Sequence, residues 1–460
     1  MIKSILSCII AVILGCVSVS AQNFKQEISL TGLGDPNTTA KPFGISYNPV
    51  NQLVYVAIAG SFGASNNVLA VIDPTTDTLL STIDVGLFPE DIAFDPITGV
   101  GAVTNSTSGS VSFFDINNVV IASLQLPDPF GIGSCYPFGI VYKNGMFYVG
   151  TVDGSGEVYA INSTTFTLES TRGFSASYQS IGRMFASTSN SSILLSTTSY
   201  NAAWSGSTGG VFAHDLADSN SGRQINYASA DNLGLYPSAS AFANANGKTF
   251  MTGLDFEGLL YRIKDDGTPE RAIPVNGHNG YGLATSADES LIVMCDLVGG
   301  AVVFIDAVNE EYFAELGISG MPNDAAFANG KLYVSDQANE RVLVYDQIPS
   351  FTDRLEHDGS LAISNSAPAL GDSIDVVLNG NSGQQVWLVG AAEAMTHTYN
   401  GVDFLIGPSL SLYGTAHSVL TIARTIPNNP NLSGRHFYMQ GAVSDGSVIR
   451  TTKPAVLIIQ

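Results

Sequence analysis

PFGISY (residues 42–47), PEDIAF (89–94), PFGIVY (137–142), SIGRMF (180–185), PSASAF (237–242), GYGLAT (280–285) and PNDAAF (322–327) are seven versions of one hexapeptide. Their starts lie 47, 48, 43, 57, 43 and 42 residues apart. Each begins at a turn-forming residue, usually proline, and continues with apolar side chains two apart, the mark of a half-buried strand. A second strand follows after a short polar turn, as in NQLVYVAIAG (51–60) and ANGKLYVSDQ (328–337). A third ends at an acidic turn, as in GSVSFFDINN (109–118). Asp73, Asp115, Asp306 and Asp346 close such third strands and are read as turn residues that accept backbone N–H bonds. Units of this length and strand content match the period of a four-stranded propeller blade. The expected fold is all-β: a seven-bladed β-propeller over residues 22–350. Only three strands fit after Pro322, so QEISLTG (26–32) is expected to supply the outermost strand of the last blade and close the ring.

YVAIAG, AVTNST, YVGTVD and YVSDQA, each followed by a strand ending near Asp, resemble the YVTN family of β-propeller repeats found in surface-layer and other secreted proteins. The resemblance spans roughly residues 26–350 and is weakest in blades four and five. There the polar stretch 190–210 and the 57-residue spacing suggest enlarged loops. It implies a fold and a compartment but no particular activity, because propellers host enzymes and inert scaffolds alike.

The N-terminus carries Lys3, an apolar run from Ile5 to Val17 and small residues at Val19, Ser20 and Ala21. This reads as a signal peptide over residues 1–21. A competing cleavage before Cys16 would leave a lipid-anchored protein. No second segment of spanning length follows, so no transmembrane segment is expected, and the protein is expected to be secreted, extracellular or periplasmic. Cys135 and Cys295 then remain, in blades too far apart for a disulfide, as two isolated thiols. Residues 351–360 read as a charged linker. Short alternating strands resume in 361–460, including SIDVVLNG, QQVWLVGA and RHFYMQGAV, and are expected to form a small antiparallel β-sandwich.

With 40 acidic and 18 basic residues the formal net charge is −22, which argues against nucleic acid as a partner. An extracellular protein, a carbohydrate or a small molecule remains. Loops leading into the blades and those after the second strands should gather at one mouth of the central channel. They carry Glu90, Asp91, Asn323 and Asp324, with Asn105, Asp153, Asp255, Asp296 and Asp336 after the second strands. Such oxygens could bind calcium or another divalent cation, or they could simply cap turns. His278 could face the same mouth, whereas His214 is read as peripheral. The recurrent Tyr47, Phe94, Tyr142, Phe185, Phe242 and Phe327 are read as packing between blades. Tyr200 and Trp204 are the candidate recognition aromatics. The function these features favour is non-catalytic binding at the channel mouth. The alternative is a metal-dependent hydrolase, lactonase or lyase, in which Asp91, Asp324 and His278 would converge in one pocket.

Overall fold

Every hexapeptide lies at or beside the start of an inner strand. The computed structural model describes residues 24–346 and 360–459, except 62, 130, 132, 134, 154, 174–178, 187–191, 201–206, 217–221, 231–240, 254–257, 266, 268, 365–368, 381–383, 392–396, 400–401, 405–410, 418, 433–435, 445–448 and 452–454. The expected signal peptide (1–21) and most of the expected linker (351–360) lie outside these residues.

The chain folds as a β-propeller. Six four-stranded antiparallel sheets are each built from consecutive strands, with inner strands Pro42–Asn48, Pro89–Phe94, Pro137–Lys143, Gln179–Ala186, Ala241–Ala245 and Gly282–Thr285. Blades of consecutive strands thus number six, not seven. The last hexapeptide opens a composite sheet in which Phe24–Ser29 is the outermost strand beyond Arg341–Tyr345, Lys331–Asp336 and Pro322–Ala328. Phe24–Ser29 runs antiparallel to Arg341–Tyr345, pairing Ser29 with Arg341 and Phe24 with Tyr345. The inner strands neighbour one another in chain order, and Pro322–Ala328 lies beside Pro42–Asn48.

Burial explains the composition of each strand. The second and third strands are covered on both faces, as in Gly101–Asn105 and Ser110–Phe114, where every residue is buried. The fourth strands are rims: Thr78–Asp84 alternates exposed with more covered positions. The apolar clusters fill the seams between neighbouring sheets. Tyr55, Ala57 and Leu69 of the first pack against Ile92, Val103 and Phe114 of the second. Ile28, Tyr333 and Val342 of the composite sheet pack against Ile45 and Val54 of the first. Burying such faces supplies most of the stabilisation, at about 25 cal/mol per Å² of apolar surface. The same seam carries a polar latch in which Asp77, on a turn of the first sheet, meets Lys331 at 2.7 Å and Lys25 at 2.5 Å.

One further expectation changes here. The stretch 190–210 is largely strand: Ser192–Tyr200 and Ser207–Asp215 pair along nine residues each, so much of the extra length of the fourth blade is in long strands. Ile193, Leu194 and Leu195 bury at the seams, and their side chains decide the outcome despite the Ser and Thr content. In the C-terminal region, the three-stranded sheet of Ser360–Ile363, Ser373–Asn379 and Val419–Thr425 shares a core with a second antiparallel sheet. The second sheet includes Gln385–Ala391 and His436–Ser444. Ile374, Val376 and Leu378 meet Val386, Leu388 and Val443 in that core. Ala442, with Trp387 and Val389 beside it, joins the cluster of Met251, Leu259 and Tyr261, so this region packs on the fifth blade.

Candidate functional site

The inner strands are irregular where they approach the axis. Register breaks fall between Pro42 and Ile45, Pro89 and Ile92, Pro137 and Ile140, Ile181 and Met184, and Pro322 and Asp324. Such bulges re-aim the third hexapeptide residue. That residue is glycine at 44, 139, 182 and 282 and aspartate at 91 and 324. Where it is glycine, the next blade closes onto the backbone. A Cβ at Gly139 would overlap the Gly182 carbonyl oxygen, one at Gly44 the Glu90 carbonyl oxygen, and one at Gly282 would stand 2.6 Å from that of Asn323.

Where it is aspartate, the carboxylate spans the seam instead. Asp91 Oδ2 accepts the Ile140 N–H of the next blade at 3.2 Å, and Asp324 Oδ2 accepts the Ile45 N–H at 3.4 Å. A hydroxyl from the second strand completes each latch. Thr104 Oγ1 accepts the Asp91 N–H at 3.2 Å and donates to the Phe138 carbonyl at 2.7 Å. Ser335 Oγ does the same with the Asp324 N–H at 3.0 Å and the Phe43 carbonyl at 3.1 Å.

Arg183 joins the two latches across the channel. Its Nη1 lies 2.9 Å from Asp91 Oδ1 and 3.3 Å from Asp324 Oδ2. Burial opposes its charge, but the two carboxylates more than compensate and raise its pKa. Burial raises Asp324 to about 6, with Arg183 pulling the other way and Asp91 adding repulsion. Asp91 is also raised, by burial, against the pull of Arg183.

On one side of this triad the channel widens into a cavity of about 570 Å³ lined by the C-terminal halves of the inner strands. Asp91, Arg183 and Asp324 share its lining with Ile45, Ile92, Ile140 and the six recurrent aromatics. Those aromatics do pack into blade cores, as Phe94 does against Tyr55 and Phe114, yet each is only half-buried and turns part of its surface to the cavity. At the second hexapeptide position Phe43 meets Phe138 and Tyr281, with ring centroids 6.1 Å apart in both pairs, and it meets Phe88 at 6.2 Å.

The remaining sequence candidates are scattered. Glu90 and Asn323 are buried, and among the described residues Glu90 Oε2 and both side-chain polar atoms of Asn323 have no hydrogen-bond partner. Burial pushes the Glu90 carboxyl well above its usual range. Asn105 donates to Ser110 and Ser112. Asp153 accepts from Thr151 and from the Ser155 N–H, as a turn residue does. Asp336 accepts from the Met321 N–H, Asn339 and Arg341. His278 is paired with Asp296 and Glu315, at 2.8 Å each, so its partners are not Asp91 and Asp324. Asp255 and Trp204 lie outside the described residues, and Tyr200 is described only as the end of a strand.

Among the described residues, no group of three or more His, Cys, Asp or Glu side chains is placed to hold a metal ion. The cation between Asp91 and Asp324 is the guanidinium of Arg183. Cys135 and Cys295 are free and buried. No helix among the described residues is long and apolar enough to cross a membrane.

Arg183 was not anticipated, although one signal marks it. It occupies the fourth hexapeptide position, which holds Ile45, Ile92, Ile140, Leu283 and Ala325 in other copies. A second signal pairs the latches: Asp91 and Asp324 face Thr104 and Ser335 across the strand pair, while Gly282 faces Cys295.

The geometry defines a β-propeller whose inner strands are tied by the Asp91–Arg183–Asp324 cluster. No family model matches the chain, and no curated protein does. Solved structures match the fold. Hydrazine synthase from Kuenenia stuttgartiensis is 15% identical with a TM-score of 0.54, covering 70% of this chain and 99% of that one. The β-propeller domain of Cps50 (Swd1) from Myceliophteria thermophila is 8% identical with a TM-score of 0.53, covering 71% and 100%. At these identities the likeness is one of fold alone.

Proposed function

We propose that this protein is a secreted, non-catalytic binding propeller of the YVTN-like kind that takes a small ligand in its axial cavity. In this reading the composite sheet counts as a seventh blade, and the C-terminal sheets form a β-sandwich docked on the ring. The observation that carries the binding role is the Asp91–Arg183–Asp324 triad in the lining of a cavity of about 570 Å³. That volume falls within the usual range for small-molecule sites. A hydrolase would need free carboxylates for a metal or a proton. Those of Asp91 and Asp324 are engaged by Arg183 and by backbone amides.

The test is a thermal-shift screen of small molecules against the mature protein and a Ser46→Trp variant, which fills the cavity from a half-buried wall position. A ligand that stabilises the wild type but not the variant, and is recovered unchanged, supports the reading. A ligand that is consumed, or whose effect survives in Ser46→Trp, rejects it.

A further inference from the structure

We propose that the axial cavity selects a small organic cation, an amine or quaternary ammonium carrying an apolar group. This deepens the binding reading above and rests on it. Three features of the cavity agree. Its lining holds two carboxylates against one guanidinium, a net charge of minus one when both are ionised. Asp91 and Asp324 keep 14% and 10% of their side-chain surface exposed and Arg183 keeps 9%, none of it at Nε or Nη2, so two carboxylates meet a solute against a single guanidinium edge. Its wall carries six half-buried aromatic side chains from six different sheets, Tyr47, Phe94, Tyr142, Phe185, Phe242 and Phe327.

Aromatic rings attract cations through the negative faces of their π-systems, and the attraction grows when water is excluded. An anion would meet the two carboxylates, and no lysine lines the wall to offset them. A neutral apolar molecule would gain the wall but nothing from the charged groups. The formal net charge of −22 further favours the approach of cations.

Calorimetric titration with benzyltrimethylammonium, benzyl alcohol and benzenesulfonate tests this, using the full mature chain and a Ser46→Lys variant. The cation is expected to bind at least about tenfold more tightly than either comparator, since about 1.4 kcal/mol of charge and cation–π energy corresponds to a factor of ten. Ser46→Lys sets a positive charge on the wall and should weaken the cation at least about tenfold without lowering the affinity for the sulfonate. If the alcohol or sulfonate binds as tightly as the cation in the wild type, the selectivity proposal fails while the cavity remains a binding site. If cation binding is the same in Ser46→Lys, the ion sits elsewhere and the proposal fails. If none of the three binds, this proposal falls while the wider ligand screen above still decides whether the cavity is a site.

Discussion

The guanidinium of Arg183 holds the carboxylate of Asp91 at 2.9 Å, a contact between residues 92 apart in the chain. Asp324, from the composite sheet, shares the same Nη1. Three inner strands are thereby tied at the axis. Each aspartate also binds the next strand through an amide, so the triad fixes the spacing of five inner strands.

Removing Arg183 should leave two buried carboxylates facing each other. Arg183→Met is expected to lower stability by about 3–5 kcal/mol, the usual cost of breaking a buried ion pair from one side. Adding Asp91→Asn and Asp324→Asn to that variant should restore part of the loss, because the uncompensated charge disappears. Urea unfolding of the three proteins measures both effects. A single variant as stable as the wild type would show that the triad contributes nothing.

The bare backbone at the inner-strand seams gives a second expectation. Gly139→Ala drives a methyl into the Gly182 carbonyl of the next strand and should cost about 1–3 kcal/mol. Gly317→Ala, where nothing lies within 4 Å of the added methyl, serves as the tolerant control. Equal melting temperatures for the two variants would refute the close approach.

Two sites make stability depend on pH. For His278, burial works against the charged form, but hydrogen bonds to Asp296 and Glu315 outweigh it and raise the pKa to about 9. The stabilisation is fully present below the ordinary value of 6.5 and is lost as pH rises through 9. Its partner Glu315 is lowered to about 2, first by the bond to His278, so that side's contribution is present above 4.5 and lost as pH falls through 2. Asp324 runs opposite to Glu315 and in the same sense as His278. Burial raises it to about 6 from 3.8, so the folded state holds its proton longer, and this residue's contribution grows as pH falls from 6 towards 3.8. Stability of wild type minus His278→Gln should therefore shrink between pH 7 and 10. A carbon-13 titration of the Asp324 carboxyl should show a midpoint near 6, and a midpoint near 3.8 would show that the carboxyl is not desolvated.

The blade plan was legible because blade packing imposes a local rule. Copies such as PEDIAF and PNDAAF start at a turn residue, bury their first, second and fourth residues and end on a half-buried ring. The pairing of Phe24–Ser29 with Arg341–Tyr345 was likewise visible, since a strand left over at one end matched one missing at the other. The fourth blade was harder to read. Ser192–Tyr200 and Ser207–Asp215 look polar, but a long strand needs only its seam-facing side chains to be apolar. Asp91 and Asp324 could be singled out as carboxylates, yet their partner could not.

By itself the sequence determined the repeat, the strand content and the negative formal charge, because these depend on periodicity and composition, which act over a few residues. Only the tertiary structure decided that the channel carboxylates face Arg183, that His278 belongs with Asp296 and Glu315, and that the repeated aromatics both pack the blades and line a cavity. Those pairings join residues from different blades or different strands. Bulges of the inner strands and the closure of the ring set their distances, and no local pattern records either.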